Sequence, residues 1–153
     1  MPELSRRVQT FTDSVIRRMT RISDEVDAIN LSQGFPDFPP PKAITDRLRE
    51  VADEGPHQYS VTFGAENFRE ALARKQGRAY GREINPDTEI LVTCGGTEAM
   101  MSAMMTVCNP GDKVIVFSPF YENYGADAIL SGADPVFVPL VPPTFDFDRN
   151  VLE

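Results

Sequence analysis

The sequence has few of the residues that mark disulfide-rich, metal-binding or membrane proteins. Among its 153 residues are one histidine, no tryptophan and only two cysteines, Cys94 and Cys108. The spacing of the two cysteines matches no metal-binding motif. We therefore expect reduced thiols, no disulfide framework and no metal site. No apolar run approaches the roughly 20 residues that span a bilayer, and the N-terminus lacks the apolar core of a signal peptide. Together these absences predict a cytoplasmic protein.

The charge balance is acidic and the composition is that of a globular protein. The net charge is −8, and no long basic run is present, so neither nucleic acid nor an anionic membrane is an expected partner. The apolar fraction is 41% and the charged fraction 25%, which is typical of a soluble domain with a real core.

The pattern along the chain predicts an irregular first part and a regular second part. A short helix is expected from Ser14 to Ile22, and the four prolines and one glycine of residues 31–42 exclude regular structure there. From residue 43 onward, helices and strands alternate. Helices are predicted at 43–53, 65–80, 97–108 and 122–131, and strands at 89–93, 113–117 and 135–139. This alternation predicts an α/β fold with a mainly parallel sheet covered by helices.

The periodicity also predicts which side chains are buried. In the helix at 65–80, Phe68, Ala71, Leu72 and Ala79 are expected to face inward. The helix from Thr97 is apolar nearly all round, so we expect it to be buried on several sides. The strands of a parallel sheet are expected to be buried on both faces.

Residues 89–100 are the most informative stretch, because a short apolar run ends in Gly95 and Gly96 and a helix-forming run follows at once. The first N–H groups of a helix lack partners within the helix and favour a phosphate. A simple strand–helix turn is the alternative interpretation. The segment from Ser118 to Tyr121 follows the next predicted strand, so both sequences are expected at the same edge of the sheet, where ligands bind.

These motifs resemble those of the class I/II aminotransferases, which belong to the pyridoxal-phosphate fold-type I superfamily. The resemblance runs nearly end to end and resides in segments 4–9, 30–38, 58–64 with 68–72, 92–99, 109–116 and 118–121. Each motif alone is weak to moderate, but their order and spacing together are specific.

The resemblance implies a role for particular residues. Gly96 and Thr97 resemble the residues whose backbone N–H groups hold the cofactor phosphate, and Tyr121 resembles the aromatic residue that stacks on the pyridine ring. Tyr59 resembles the tyrosine that reaches the phosphate of the neighbouring subunit, which implies a homodimer. Gly34 resembles the glycine beside the substrate α-carboxylate, where a Cβ would collide with the ligand.

Three more features carry expectations: Ile16, His57 and the Ser118–Pro119 bond. Ile16 is a candidate for the substrate pocket, with a place in a helix core as the alternative. We expect His57 to be solvated rather than catalytic. In the family, the proline bond corresponding to Ser118–Pro119 is often cis, and a cis bond is therefore expected here.

The catalytic lysine of the family is absent from these residues. The chemistry needs a lysine that forms a Schiff base with the cofactor and moves the α-proton, and none of Lys42, Lys75 and Lys113 lies in the family's lysine motif. We therefore expect an amino-terminal fragment, or one piece of a split or cleaved enzyme, that is not competent alone.

The resemblance also predicts the domain organisation. Residues 1–42 are expected to form an N-terminal arm and small-domain segment with the substrate loop, and residues 43–153 an incomplete large cofactor-binding domain. The expected activity of the parent protein is transfer of an amino group between an amino acid and a 2-oxo acid. The alternatives are another fold-type I enzyme, such as a lyase or a decarboxylase, and a non-enzymatic aminotransferase-like domain.

Overall fold

The computed structural model describes residues 3–55 and 57–152 and contains the predicted helices and strands except the strand at residues 89–93. Its helices are α1 (Val15–Glu25), α2 (Lys42–Asp53), α3 (Glu66–Tyr80), α4 (Gly95–Val107) and α5 (Asn123–Leu130), and its strands are β1 (Lys113–Ser118) and β2 (Asp134–Pro139). Two short 3₁₀ turns lie at Arg6–Val8 and Arg149–Val151. No helix in the described ranges is long and apolar enough to cross a membrane.

The chain divides into two compact units. One contains residues 15–92, and the other joins the residues up to Ser14 with those from Thr93 onward. These boundaries differ from the predicted division at residue 42, which concerns the domains of a complete enzyme and stays a prediction.

The unit that begins at Thr93 is built on a β1–α5–β2 crossover. The two strands pair in parallel, with Lys113 opposite Asp134 and Ser118 opposite Pro139, which confirms the predicted direction. The turn before β1 closes through a 3.1 Å hydrogen bond from the Asp112 N–H to the Asn109 carbonyl. Gly111 has a φ of +89° at its third position, as a type II turn requires.

The core of this unit is small, and the predicted burial of the strands on both faces is only partly correct. Val116 and Val138 are buried, at 5% and 0% exposure, whereas Phe137 is 49% exposed. Phe137 stacks on Phe120 with ring centroids 5.0 Å apart. The described part of the chain leaves the faces of this two-stranded sheet partly uncovered, so Phe137 stays in contact with solvent.

The predicted burial of α4 on several sides is wrong. None of its residues is fully buried, and Met105 is 64% exposed. Its main partner among the described elements is α5, and one neighbouring helix covers only one stripe of a helix surface.

In the unit formed by residues 15–92, the buried side chains differ from those expected. Phe68 is 52% exposed, and Ala71 and Ala79 are also exposed, so their predicted inward orientation is wrong; Leu72 is half-buried. Arg69 and Ala73 are the buried residues of α3. A polar network, rather than an apolar stripe, therefore fixes the inner face of this helix.

Arg69 is the centre of that network. Its Nε donates to the Gly64 carbonyl at 3.1 Å, and its Nη1 donates to the Pro86 carbonyl at 2.6 Å and to Asp87 Oδ1 at 2.7 Å. Gly64 has a φ of +107°, and a Cβ there would collide with the Val92 side chain. The close approach of these two segments therefore requires a glycine.

The strand predicted at residues 89–93 does not form in the described structure. Its backbone makes one contact of the strand kind, a 3.0 Å hydrogen bond from the Val92 N–H to the Phe63 carbonyl. A strand needs a ladder of such bonds to a neighbour. Leu91 accordingly stays 55% exposed.

Candidate functional site

The turn into α4 leaves two backbone N–H groups without a local acceptor. Gly95 has a φ of +85°, and its N–H donates to the Thr93 carbonyl at 2.9 Å. The Cys94 N–H donates to the carboxylate of Glu98. The next N–H groups, those of Gly96 and Thr97, lie in the first helical turn, where a helix offers no acceptor of its own.

These two residues line a cleft between the first turns of α4 and α5. The cleft has a volume of about 330 Å³, which lies within the range of about 300–1,000 Å³ for small-molecule sites. Its lining residues are Gly96, Thr97, Met100, Tyr121, Asn123, Tyr124 and Asp127. Three of the residues that the resemblance assigned to the cofactor, Gly96, Thr97 and Tyr121, therefore lie together.

Tyr121 presents an aromatic surface to this cleft. It directly follows the loop at the carboxyl end of β1, whose Ser118–Pro119 bond is cis, as expected. Its ring lies edge-on to that of Tyr124, with centroids 5.9 Å apart and an interplanar angle of 75°. Tyr121 is 52% exposed, so part of its surface is free to stack on a planar ligand.

Asn123 ties the two helices together at the mouth of the cleft. Its Nδ2 donates to Thr97 Oγ1 at 2.8 Å. The Thr97 hydroxyl keeps its own proton for donation to a ligand.

Asp127 is a cleft residue that the sequence reasoning did not find. It is only 3% exposed, and its Oδ2 has no hydrogen-bond partner among the described residues. Burial raises the pKa of this carboxyl above its ordinary value. A signal was available, because Asp127 lies four residues after Asn123 and three after Tyr124, on the same helical face.

The cleft fits a flat ligand that carries a phosphate. The free N–H groups and the positive end of α4 favour an anion, and Tyr121 supplies a ring face beside them. Pyridoxal phosphate combines both features, so the residues present suit it.

The remaining predicted residues lie in the unit formed by residues 15–92. Tyr59 is fully exposed, and Ile16 is half-buried. Gly34 is exposed, and a Cβ added there would meet nothing within 4 Å, so the packing of the chain itself does not demand a glycine. His57 is exposed, as expected, and so are Lys42, Lys75 and Lys113.

A second cleft, of about 360 Å³, lies in the same unit along α3 and the turn that follows it. Two of its arginines are already paired, Arg74 with Glu70 and Arg82 with Glu89. It contains none of the residues that the resemblance assigned to the cofactor.

The protein has an α/β fold. At one edge of its sheet, the start of α4 presents free backbone N–H groups beside the aromatic ring of Tyr121. Residues 26–153 match the model of the family described as aminotransferase class I and II. The chain therefore belongs to this family.

Curated relatives agree with this assignment. The chain is 38% identical over 135 residues to a methionine aminotransferase of Escherichia coli, which covers 88% of this chain and 35% of that protein. It is 34% identical over 137 residues to kynurenine–oxoglutarate transaminase 3 of Rattus norvegicus, which covers 89% of this chain and 30% of that protein. The chain thus spans about a third of the length of the curated relatives that it matches.

Solved structures agree in fold. A crystal structure of YbdL from Escherichia coli, described as having a methionine aminotransferase function, superposes with a TM-score of 0.89 at 35% identity, over 99% of this chain and 40% of that one. The structure of N-succinyldiaminopimelate aminotransferase from Mycobacterium tuberculosis superposes with a TM-score of 0.87 at 33% identity. The match covers 98% of this chain and 40% of that one. The chain corresponds to an N-terminal portion of the fold-type I aminotransferase architecture.

Proposed function

We propose that the protein carrying this chain is a pyridoxal-phosphate-dependent aminotransferase that moves an amino group between an amino acid and a 2-oxo acid. The observation that carries the proposal is the cleft in which Gly96 and Thr97, at the start of α4, meet Tyr121 from the end of β1. Because the chain belongs to the aminotransferase family, we interpret this cleft as the binding site of the cofactor. When bound, the cofactor supplies an electron sink that stabilises the carbanion formed at the substrate α-carbon.

Within the cleft, each side chain has a distinct task. The N–H groups of Gly96 and Thr97 bind the phosphate, and the Thr97 hydroxyl adds a third donor. Tyr121 orients the pyridine ring by stacking on its face. Asn123 holds the Thr97 hydroxyl in place through its 2.8 Å hydrogen bond.

Two more residues belong to the proposed site. Tyr59, which is fully exposed, donates a hydrogen bond to the phosphate bound by a second subunit. Gly34 keeps space free beside the substrate carboxylate. A site completed in this way implies a homodimer, and we place the enzyme in the cytoplasm. Sedimentation of the full-length protein would test the dimer, and cell fractionation would test the location.

None of the lysines in this chain is proposed as the residue that binds the cofactor covalently. Lys42, Lys75 and Lys113 are all exposed, and none lines the cleft. Reduction of the full-length protein with borohydride would fix the cofactor to its lysine, and peptide mapping would locate it. Attachment to any of these three lysines would contradict the proposal.

The decisive experiment is a half-reaction assay on the full-length protein loaded with pyridoxal phosphate. A panel of amino acids should convert the cofactor to its amino form, and a 2-oxo acid should restore the original absorbance. Release of carbon dioxide or ammonia without this reversible change would instead favour a decarboxylase or a lyase.

A further inference from the structure

Asp127 is a cleft residue with a buried polar atom, Oδ2, that has no hydrogen-bond partner among the described residues. Its side chain belongs to α5, one turn after Asn123, and it is 3% exposed. A buried polar atom without a partner is costly, and Oδ2 is such an atom here. Asp127 lines the cleft together with Gly96 and Thr97, so a ligand bound there lies beside this residue.

We propose that the Asp127 carboxyl is a further ligand-binding group of this cleft, which holds a proton on Oδ2 and donates it in a hydrogen bond to the bound phosphate ester. This inference rests on the proposed function, since it concerns the same cleft and the same ligand. It adds a neutral acid to the donors proposed above, which are two backbone N–H groups, the Thr97 hydroxyl and the Tyr59 hydroxyl of a second subunit.

The surroundings of Asp127 favour its protonated form. The Asp127 carboxyl is removed from water, and an ionised carboxylate there would lose its hydration without gaining a donor. Burial accordingly raises its pKa. An ionised carboxylate would also repel the phosphate at the start of α4, whereas a neutral acid supplies a donor to it.

In the described part of the chain, no charged neighbour explains the raised pKa of Asp127. The elements packed against α5 are α4, β1, β2 and the turn at residues 6–8. Their titratable side chains are Glu98 on α4, Lys113 on β1, Asp134 on β2 and Arg6 and Arg7 on the turn, and Tyr121 and Tyr124 share the cleft. Glu98 binds the Cys94 N–H, and Arg7 donates to the Leu130 carbonyl at 3.4 Å. Burial is the cause of the raised Asp127 pKa.

The test compares Asp127→Asn, Asp127→Leu and Asp127→Ala in the full-length protein, freed of cofactor and titrated with pyridoxal phosphate and with pyridoxal. Asparagine keeps a donor of the same shape, so the affinity of Asp127→Asn for pyridoxal phosphate should stay within about twofold of the wild type below the folded-state pKa of Asp127. Leucine and alanine have no donor, so we expect about tenfold weaker binding, equivalent to one hydrogen bond. Their affinity for pyridoxal, which lacks the phosphate, should be unchanged.

A pH profile separates this role from a structural one. In the wild type, affinity should fall as the pH rises through the pKa of Asp127, because the donor is then lost. Asp127→Asn should lack this decline, and Asp134→Asn, an exposed control at the start of β2, should retain it.

Three results would overturn the inference. The first is that Asp127→Leu or Asp127→Ala binds pyridoxal phosphate as tightly as the wild type does. The second is that Asp127→Asn binds it as weakly as Asp127→Leu does. The third is that the affinities of the wild type and Asp127→Asn depend on pH in the same way. The comparison of pH profiles between the wild type and Asp127→Asn can be made even if the leucine variant fails to fold. Absence of pyridoxal phosphate binding in the wild type would be a different result, because it would overturn the proposed function itself.

Discussion

Asn123 donates a hydrogen bond from Nδ2 to Thr97 Oγ1 over 2.8 Å, and this bond joins the first turns of α4 and α5. It is a polar link between the start of α5, which follows the loop that carries Tyr121, and the start of α4. Both residues line the cleft, so the link also sets the position of the Thr97 hydroxyl.

A double-mutant cycle should measure this link. Asn123→Ala and Thr97→Val each remove one partner, and the double variant removes both. We expect a coupling free energy of about 0.5–1.5 kcal/mol, the usual net contribution of one hydrogen bond. Urea unfolding of the four proteins would give the value, and additive effects would show that the bond contributes nothing.

Gly96→Ala should weaken cofactor binding without harming the fold. A Cβ at Gly96 meets nothing within 4 Å, and alanine is the better helix former by up to about 1 kcal/mol. The same methyl group would crowd a phosphate held by the first helical turn, so we expect affinity to fall about tenfold, the loss of one hydrogen bond. Calorimetric titration and thermal unfolding would report the two effects separately.

The adjacent Gly95→Ala is the matched contrast. Gly95 has a φ of +85°, where alanine is strained by about 1–2 kcal/mol. This variant should lose stability, whereas Gly96→Ala should not. A Gly96→Ala protein with unchanged cofactor affinity would show that the phosphate does not approach this residue.

Tyr59→Phe should lower the affinity for pyridoxal phosphate by about one to two orders of magnitude. The change removes one hydrogen bond to a charged group, which is worth about 1.5–3 kcal/mol. Tyr80→Phe, at the end of α3 and also exposed, is the control and should bind as the wild type does. Equal affinity in Tyr59→Phe and the control would remove Tyr59 from the site.

The local features of the site were predictable from sequence, because short segments determine them. Two adjacent glycines before a helix-forming run define the turn at Gly95 and Gly96, and Ser118–Pro119 carries the cis bond that the resemblance implies. The parallel pairing of β1 and β2 follows from a helix between two strands.

The features that depend on distant partners were not predictable in this way. The apolar run at residues 89–93 has the composition of a strand, but its one backbone hydrogen bond to another segment joins Val92 to Phe63 in the described structure. Asp127 became a candidate only when the packing of α5 on α4 showed its burial. Periodicity alone placed Phe68 inside, whereas the polar contacts of Arg69 decide which face of α3 is covered.

Arg69→Met should destabilise the unit formed by residues 15–92 by about 2–4 kcal/mol, because it leaves the Gly64 and Pro86 carbonyls without their donor. Arg74→Met, on the same helix, breaks only the exposed pair with Glu70 and should change stability by less than about 1 kcal/mol. Urea denaturation of both variants would check the difference, and equal losses would show that the Arg69 network does not stabilise the unit.

Asp127→Asn should become more stable than the wild type as the pH rises. The ordinary pKa of the carboxyl is 3.8, and burial raises it in the folded protein. Between these two values the unfolded chain releases the proton and the folded chain keeps it, so ionisation favours unfolding. Relative to its own stability at pH 3, the wild type should therefore lose stability as the pH rises from about 4 to the folded-state pKa of Asp127, whereas Asp127→Asn should not. Urea midpoints at a series of pH values in cofactor-free protein would measure this, with Asp134→Asn expected to follow the wild type. A stability difference that does not change with pH would mean that the Asp127 carboxyl ionises as readily in the folded protein as in the unfolded chain.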